Sequence, residues 1–174
     1  MTDGGPPIIA IAGFMAAGKT TVARALARRL GRAWADLDEA VTKREGRTPA
    51  RLIEEDGEAA FRDAETRALS DLLERGEASV IALGGGTFAL ARNRVLLAAH
   101  GCVSVWLDAP FDLCWRRITE AGAAPRPLAR DRAAARRLYD ERLASYRLAS
   151  LRVRVSAASS PEATAAEVAG AVGA

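Results

Sequence analysis

At 174 residues, with 49% apolar and 27% charged side chains, the chain has the make-up of one globular domain and excludes a mainly disordered protein. Lys plus Arg number 25 against 22 Asp plus Glu, and a net charge of +3 gives no basis for nucleic-acid binding without a clustered patch; a basic pocket for a small anion is the more economical expectation. The twelve-residue spacing of Cys102 and Cys114 fits neither a redox pair nor a zinc half-site, and neither a secretion signal nor an apolar run of membrane-spanning length is visible, so a cytoplasmic protein with reduced thiols and no membrane partner is expected.

Residues 1–7 carry Thr, Asp, two Gly and two Pro and read as a disordered lead-in. Ile8 to Ala12 is an apolar run suited to a strand buried on both faces, and from Gly18 to Leu30 the period changes, with Val22, Leu26 and Leu30 on one helix face. A second strand is expected at Arg32 to Asp36, a polar helix at Asp38 to Arg44, and a longer helix from Pro49 toward Arg75 that Gly57 breaks or bends. Ser79 to Leu83 reads as the third strand, Phe88 to Ala99 as a helix, and Cys102 to Leu107 as the fourth strand, followed by a helix opened by Pro110. Residues 121–131, with Gly122, Pro125 and Pro127, read as a mobile lid between two Arg-rich helices. A helix from Arg132 to Leu148, a strand at Leu151 to Val155 and a closing Ala-rich helix complete the chain. Alternating strands and helices imply a single α/β domain, three-layered around a five-stranded parallel sheet.

Gly13, Phe14, Met15, Ala16, Ala17, Gly18, Lys19 and Thr20 satisfy G-x-x-x-x-G-K-[ST] between a buried strand and an amphipathic helix, where a phosphate-binding loop belongs. Backbone N–H groups and the positive end of the helix converge there on a polyanion. Lys19 would add a charge on the β- and γ-phosphates and Thr20 a hydroxyl for Mg²⁺. The nucleotide contacts expected are Ala16, Ala17, Gly18, Lys19, Thr20 and Thr21, so ATP and Mg²⁺ are the expected cofactors.

Asp36 and Asp38 stand two apart at a predicted strand end, so extended backbone would turn both toward one cavity. Asp36 is assigned to a water in the magnesium shell and Asp38 to the acceptor hydroxyl, as orienting group or base; helix capping is the competing use of either residue. The third strand ends in Gly84, Gly85 and Gly86 instead of an acid, which leaves room for backbone to approach a ligand.

Arg62 and Glu65 share a helix face, so Glu65 would hold the Arg62 guanidinium toward a substrate carboxylate, with Arg142 as a second clamp; surface ion pairing and solvation are the plain alternatives. Arg126 in the lid is the candidate for a charge delivered to the transferring phosphoryl group. Either Arg116 or Arg117 would stack on adenine, with Arg117 preferred.

In this order and spacing, GFMAAGKTT at 13–21, DLD at 36–38, GEAAFRDAE at 57–65, GGG at 84–86, RPL at 126–128 and ERLASY at 141–146 resemble shikimate kinases, over about residues 8–170. The resemblance implies a fold like nucleoside monophosphate kinases and transfer of the ATP γ-phosphate to the 3-hydroxyl of shikimate in aromatic amino-acid biosynthesis. It also implies that Asp38, Arg62, Gly85 and Arg142 bind shikimate, Lys19 and Arg126 contact phosphates, and Thr20 and Asp36 organise magnesium. The substrate set expected is Asp38, Arg62, Gly84, Gly85, Gly86 and Arg142, with Glu65 behind Arg62; about residues 38–76 are expected to form a substrate-binding helical region, and the enzyme is expected to act as a monomer. The family usually has Gly where this chain has Ala16, and near Ser159 it often has a basic residue that is missing here, which leaves Pro161 and backbone as the adenine wall. A kinase of gluconate-like acids or nucleosides, and a non-catalytic ATP-binding module, are the competing functions.

Overall fold

Ile9–Ala12 forms β1, the middle strand of a five-stranded sheet whose order is β2-β3-β1-β4-β5. All four of its residues are fully buried, as a strand covered on both faces requires. The computed structural model describes residues 5–121 and 130–173. Residues 1–4 of the lead-in and most of the expected lid, with Pro125, Arg126 and Pro127, lie outside the described residues.

Every strand pair is parallel: Ile9 lies opposite Val80 on one side and Val103 on the other, Trp34 opposite Val80, and Val105 opposite Leu151. The strands are β2 (Trp34–Asp36), β3 (Val80–Ala82), β4 (Val103–Asp108) and β5 (Leu151–Arg154). Parallel neighbours need long crossovers, and helices supply them on both faces, giving three layers. The chain leaves β1 toward β2 and β3 on one side, then crosses to β4 and β5 on the other. A cleft therefore opens beyond the carboxyl end of β1, where ligands bind in open α/β sheets.

Helix α1 (Lys19–Leu30) buries Val22, Ala23, Leu26 and Ala27 and packs mainly against α8 (Pro161–Ala171). A fully buried leucine such as Leu26 contributes about 1.5–3 kcal/mol relative to an exposed one. Helix α2 (Leu37–Glu45) starts one residue earlier than the sequence suggests, because Asp36 caps it: its Oδ1 accepts from the backbone N–H of Asp38 at 2.9 Å and of Glu39 at 3.3 Å. The expected long helix is two, α3 (Pro49–Asp56) and α4 (Glu58–Arg75). Gly57 separates them with φ 90° and ψ 166°, a conformation that side chains resist. The helix expected from Phe88 begins instead at Ala91, as α5 (Ala91–Ala99), after a single 3₁₀ turn at Thr87–Ala89. Helices α6 (Phe111–Glu120) and α7 (Arg132–Tyr146) flank the undescribed segment. No helix among the described residues is long and apolar enough to cross a membrane.

Candidate active site

The loop after β1 wraps an open concavity at the N-terminus of α1. Gly18 caps that helix with φ 100°, and Lys19 Nζ donates to the Phe14 carbonyl at 2.8 Å, so the ammonium lies across the loop. Arg117 on α6 donates from Nη1 to the carbonyls of Ala16 (3.1 Å) and Ala17 (3.4 Å), whereas Arg116 is exposed and faces Glu120. The structure thus separates the two arginines: Arg117 alone sits on the loop. Ala16 is the one non-glycine among the described residues with positive φ, at 59°. An L side chain there costs about 1–2 kcal/mol. Ala16→Gly is accordingly expected to stabilise the protein by about 1 kcal/mol after the added unfolded-state entropy, raising Tm by roughly 2–4 °C; a thermal melt in which Tm falls would contradict the strain.

Thr20, in the first turn of α1, donates to Asp36 Oδ2 at 2.6 Å, while Oδ1 of the same carboxylate caps α2. Asp36 therefore caps α2, one of the two uses the sequence left open, and its other oxygen sits on the Thr20 hydroxyl beside the phosphate loop. Asp38 is not in extended backbone, as the spacing argument assumed; it occupies the first turn of α2, and helical geometry turns it into the cleft. No group of three or more His, Cys, Asp or Glu side chains that could hold a metal occurs among the described residues. A hydroxyl and a carboxylate beside a phosphate loop nonetheless suit Mg²⁺, which takes few protein oxygens and fills its octahedron with phosphate oxygens and water.

A second hollow of about 170 Å³ adjoins this one, lined by Met15, Asp38, Ile53, Phe61, Arg62 and Arg142 with the three glycines as its floor. Glu65 on α4 is fully buried; its Oε2 accepts from Arg62 Nη1 at 3.0 Å and its Oε1 from the Thr87 hydroxyl at 2.5 Å. The glycines give these side chains their space. A Cβ on Gly86 would lie within 2.6 Å of three atoms of the Arg62 guanidinium, and one on Gly84 would lie 2.5 Å from Glu65 Oε1. Arg142 on α7 is only 6% exposed and lies over the Phe14 ring, 6.0 Å from its centroid. Burial pushes its pKa below the ordinary value, with the Tyr146 hydroxyl and Glu58 acting the other way and the neighbouring Arg62 reinforcing the fall. Among the described residues no acid pairs with Arg142 in a salt bridge; the neighbouring Tyr146 hydroxyl donates to the Gly85 carbonyl at 2.5 Å. A buried cation without a counter-ion is a site for an anion.

A third hollow, lined by Ala16, Gly18, Thr21, Arg117, Val155, Ser159, Pro161 and Thr164, lies on the far side of the loop. The three share walls: Asp38, Gly84 and Gly85 join the first two, and Ala16, Gly18 and Thr21 join the loop hollow to the third. Sequence-predicted residues from seven segments of the chain thus meet in one cleft, with Arg126 outside the described residues. Thr87, Met15 and the bond from Tyr146 to Gly85 were not predicted. Thr87 follows the glycine triplet directly, and that position is the one signal that pointed to it.

The family model for shikimate kinase matches residues 15–172. A shikimate kinase of Ruegeria pomeroyi is 40% identical over 144 residues, covering 82% of this chain and 73% of that protein. Among solved structures, shikimate kinase from Acinetobacter baumannii in complex with shikimate superposes with a TM-score of 0.85 at 33% identity, covering 95% of this chain and 92% of the other. The enzyme from Aquifex aeolicus gives 0.79 at 32% identity, covering 95% of each. On that sequence match, and with its cleft so arranged, the chain belongs to the shikimate kinase family.

Proposed function

We propose that the chain transfers the γ-phosphate of ATP to the 3-hydroxyl of shikimate, giving shikimate 3-phosphate and ADP, with the triphosphate on the Lys19 loop and the acceptor in the neighbouring hollow. The observation that carries this is Arg142, a buried guanidinium without an acid partner among the described residues, facing the same hollow as Arg62 and Asp38. Two guanidinium groups hold a carboxylate from two sides, which fixes the acceptor ring against Asp38.

In this reading Asp38 accepts a hydrogen bond from the hydroxyl and takes its proton as the new P–O bond forms and the bond to the β-phosphate oxygen breaks. Lys19 leaves the Phe14 carbonyl for the β- and γ-oxygens and offsets their charge through the transfer. Magnesium, held through Thr20 and a water on Asp36, would neutralise phosphate charge. The loop amides from Ala16 to Thr21 cradle the phosphates, and adenine lies by Arg117 against Pro161 and Ser159. Gly85 meets the acceptor through backbone, with Gly84 and Gly86 clearing the space around it. We assign Arg126 the contact to the moving phosphoryl group. A monomer working in the cytoplasm, on two small water-soluble substrates, belongs to this reading.

ADP release measured with ATP, Mg²⁺ and a panel of shikimate, gluconate and nucleosides tests the proposal. Turnover with shikimate at least a hundredfold above the nucleosides is expected, since a site built to pair buried guanidinium groups rejects acceptors without a carboxylate; gluconate shares the carboxylate and is expected to fall behind shikimate only through the poorer fit of an open chain against Asp38. Turnover of gluconate without shikimate, or ATP binding with no acceptor-dependent release, would overturn it.

A further inference from the structure

Glu65 alone does not determine where Arg62 points. The Arg62 guanidinium has two acids within reach: buried Glu65, met by Nη1 at 3.0 Å, and half-exposed Glu58, met by Nη2 and Nε at 3.3 and 3.4 Å. Glu65 lies on the same helix three residues on, and a glutamate side chain with three rotatable bonds does not fix the direction of its own oxygens. Something must hold it, and the only other hydrogen bond to its carboxylate among the described residues comes from the Thr87 hydroxyl, at 2.5 Å.

Thr87 is itself held. It is fully buried, its carbonyl accepts from Asn93 Nδ2 at 3.0 Å, and its N–H donates to the Gly84 carbonyl at 3.2 Å. Asn93 is also fully buried, and its Oδ1 lies 2.8 Å from the Thr66 hydroxyl, whose single proton it shares with the Arg62 carbonyl at 3.0 Å; Thr66 is the neighbour of Glu65 on α4. The ring Glu65, Thr87, Asn93, Thr66 closes on the helix that carries Arg62. A β-branched threonine adds a restricted χ1 of its own.

We propose that Thr87 is a positioning residue for the acceptor site: its hydroxyl fixes Oε1 of Glu65, which aims Oε2 at Nη1 of Arg62 and, together with Glu58 on the other edge, keeps that guanidinium in the hollow. The inference rests on shikimate being the acceptor. Without the hydroxyl, one oxygen of a fully buried carboxylate loses its donor, Glu65 turns to recover one, and Arg62 follows it or is left on Glu58 alone.

Calorimetric affinities for shikimate and for ATP, measured separately on wild type, Thr87→Val, Thr87→Ala and Thr87→Ser, test it. Thr87→Val, which keeps the shape, and Thr87→Ala, which relieves any clash of the new methyl with Glu65, should each weaken shikimate about tenfold, the scale of one lost donor to a buried charge. ATP affinity should stay within twofold, and Thr87→Ser should restore shikimate binding to within twofold of wild type. In an Arg62→Lys background, where aiming no longer matters, Thr87→Val should add less than twofold. Shikimate affinity unchanged in both Val and Ala variants, parallel loss of both ligands, or full additivity with Arg62→Lys would overturn the proposal. Wild-type protein that binds ATP but no shikimate would instead overturn the proposed function, and this inference with it.

Discussion

Lys19→Ala lowers kcat by about 10²–10³-fold while leaving shikimate affinity within a few-fold of wild type. The ammonium lies at the loop and makes its described hydrogen bond to the Phe14 carbonyl, not to the acceptor hollow. Its contribution is therefore to charge that develops on the phosphates, and losing one preorganised donor of that kind costs about 10²–10³ in rate. Folding should be little changed, because Lys19 is half-buried and gives up a bond worth about 0.5–1.5 kcal/mol. Steady-state ADP release beside calorimetric shikimate binding checks both halves; a kcat within tenfold of wild type would contradict the assignment.

Arg142→Met and Arg62→Ala are expected to damage shikimate binding alike and stability in opposite directions. Each removes a charged partner of the carboxylate, at about 2–5 kcal/mol, or thirtyfold and more in affinity. Arg142 is charged, buried and without a salt-bridged acid among the described residues, and its pKa is depressed chiefly because burial disfavours the cation. A group held below its unfolded pKa destabilises the fold wherever it is still protonated, and a guanidinium is protonated throughout the accessible pH range, so the penalty is fully present at neutrality. An apolar methionine in its place should raise Tm by a few degrees. Arg62 is the reverse case: its loss strands the fully buried Glu65 with only the Thr87 hydroxyl, and breaking a buried pair costs about 3–5 kcal/mol. Thermal melts of the two variants without ligand separate the cases. A fall in Tm for both would show that Arg142 is a structural residue, contrary to the account.

The order of strands and helices was readable because each buried strand is a short apolar run and each crossover carries its own turn chemistry. Pro49 and Pro161 open helices behind Thr48 and Ser160 caps, and Gly57 ends one helix in a positive-φ conformation that a side chain would strain. The loop from Gly13 to Thr20 was legible for the same reason: its function is local in sequence. Asp38 was found for the wrong reason. Two residues' spacing at a strand end suggested a shared face, but the Asp36 cap starts a helix at once and turns Asp38 into the cleft by helical geometry. Arg142 could be named from its motif but not weighed, since its burial and its lack of an acid partner follow from α7 packing over Phe14. Thr87, Asn93 and Thr66 stayed hidden because their bonds join α4 to the 3₁₀ turn and the first turn of α5, 22 to 27 residues away, and short polar side chains of this kind carry no periodic signal.

Central to the account is a carboxylate held between Arg62 and Arg142, with its hydroxyl beside Asp38 and within reach of the nucleotide on the Lys19 loop. A crystal structure of the protein with ADP and shikimate together measures that arrangement directly. The predicted result is a shikimate carboxylate within hydrogen-bonding distance of both guanidinium groups and one ring hydroxyl on the Asp38 carboxylate, facing the β-phosphate. Shikimate bound with its carboxylate away from Arg142, or ADP and shikimate in separate hollows with Asp38 touching neither, would contradict it.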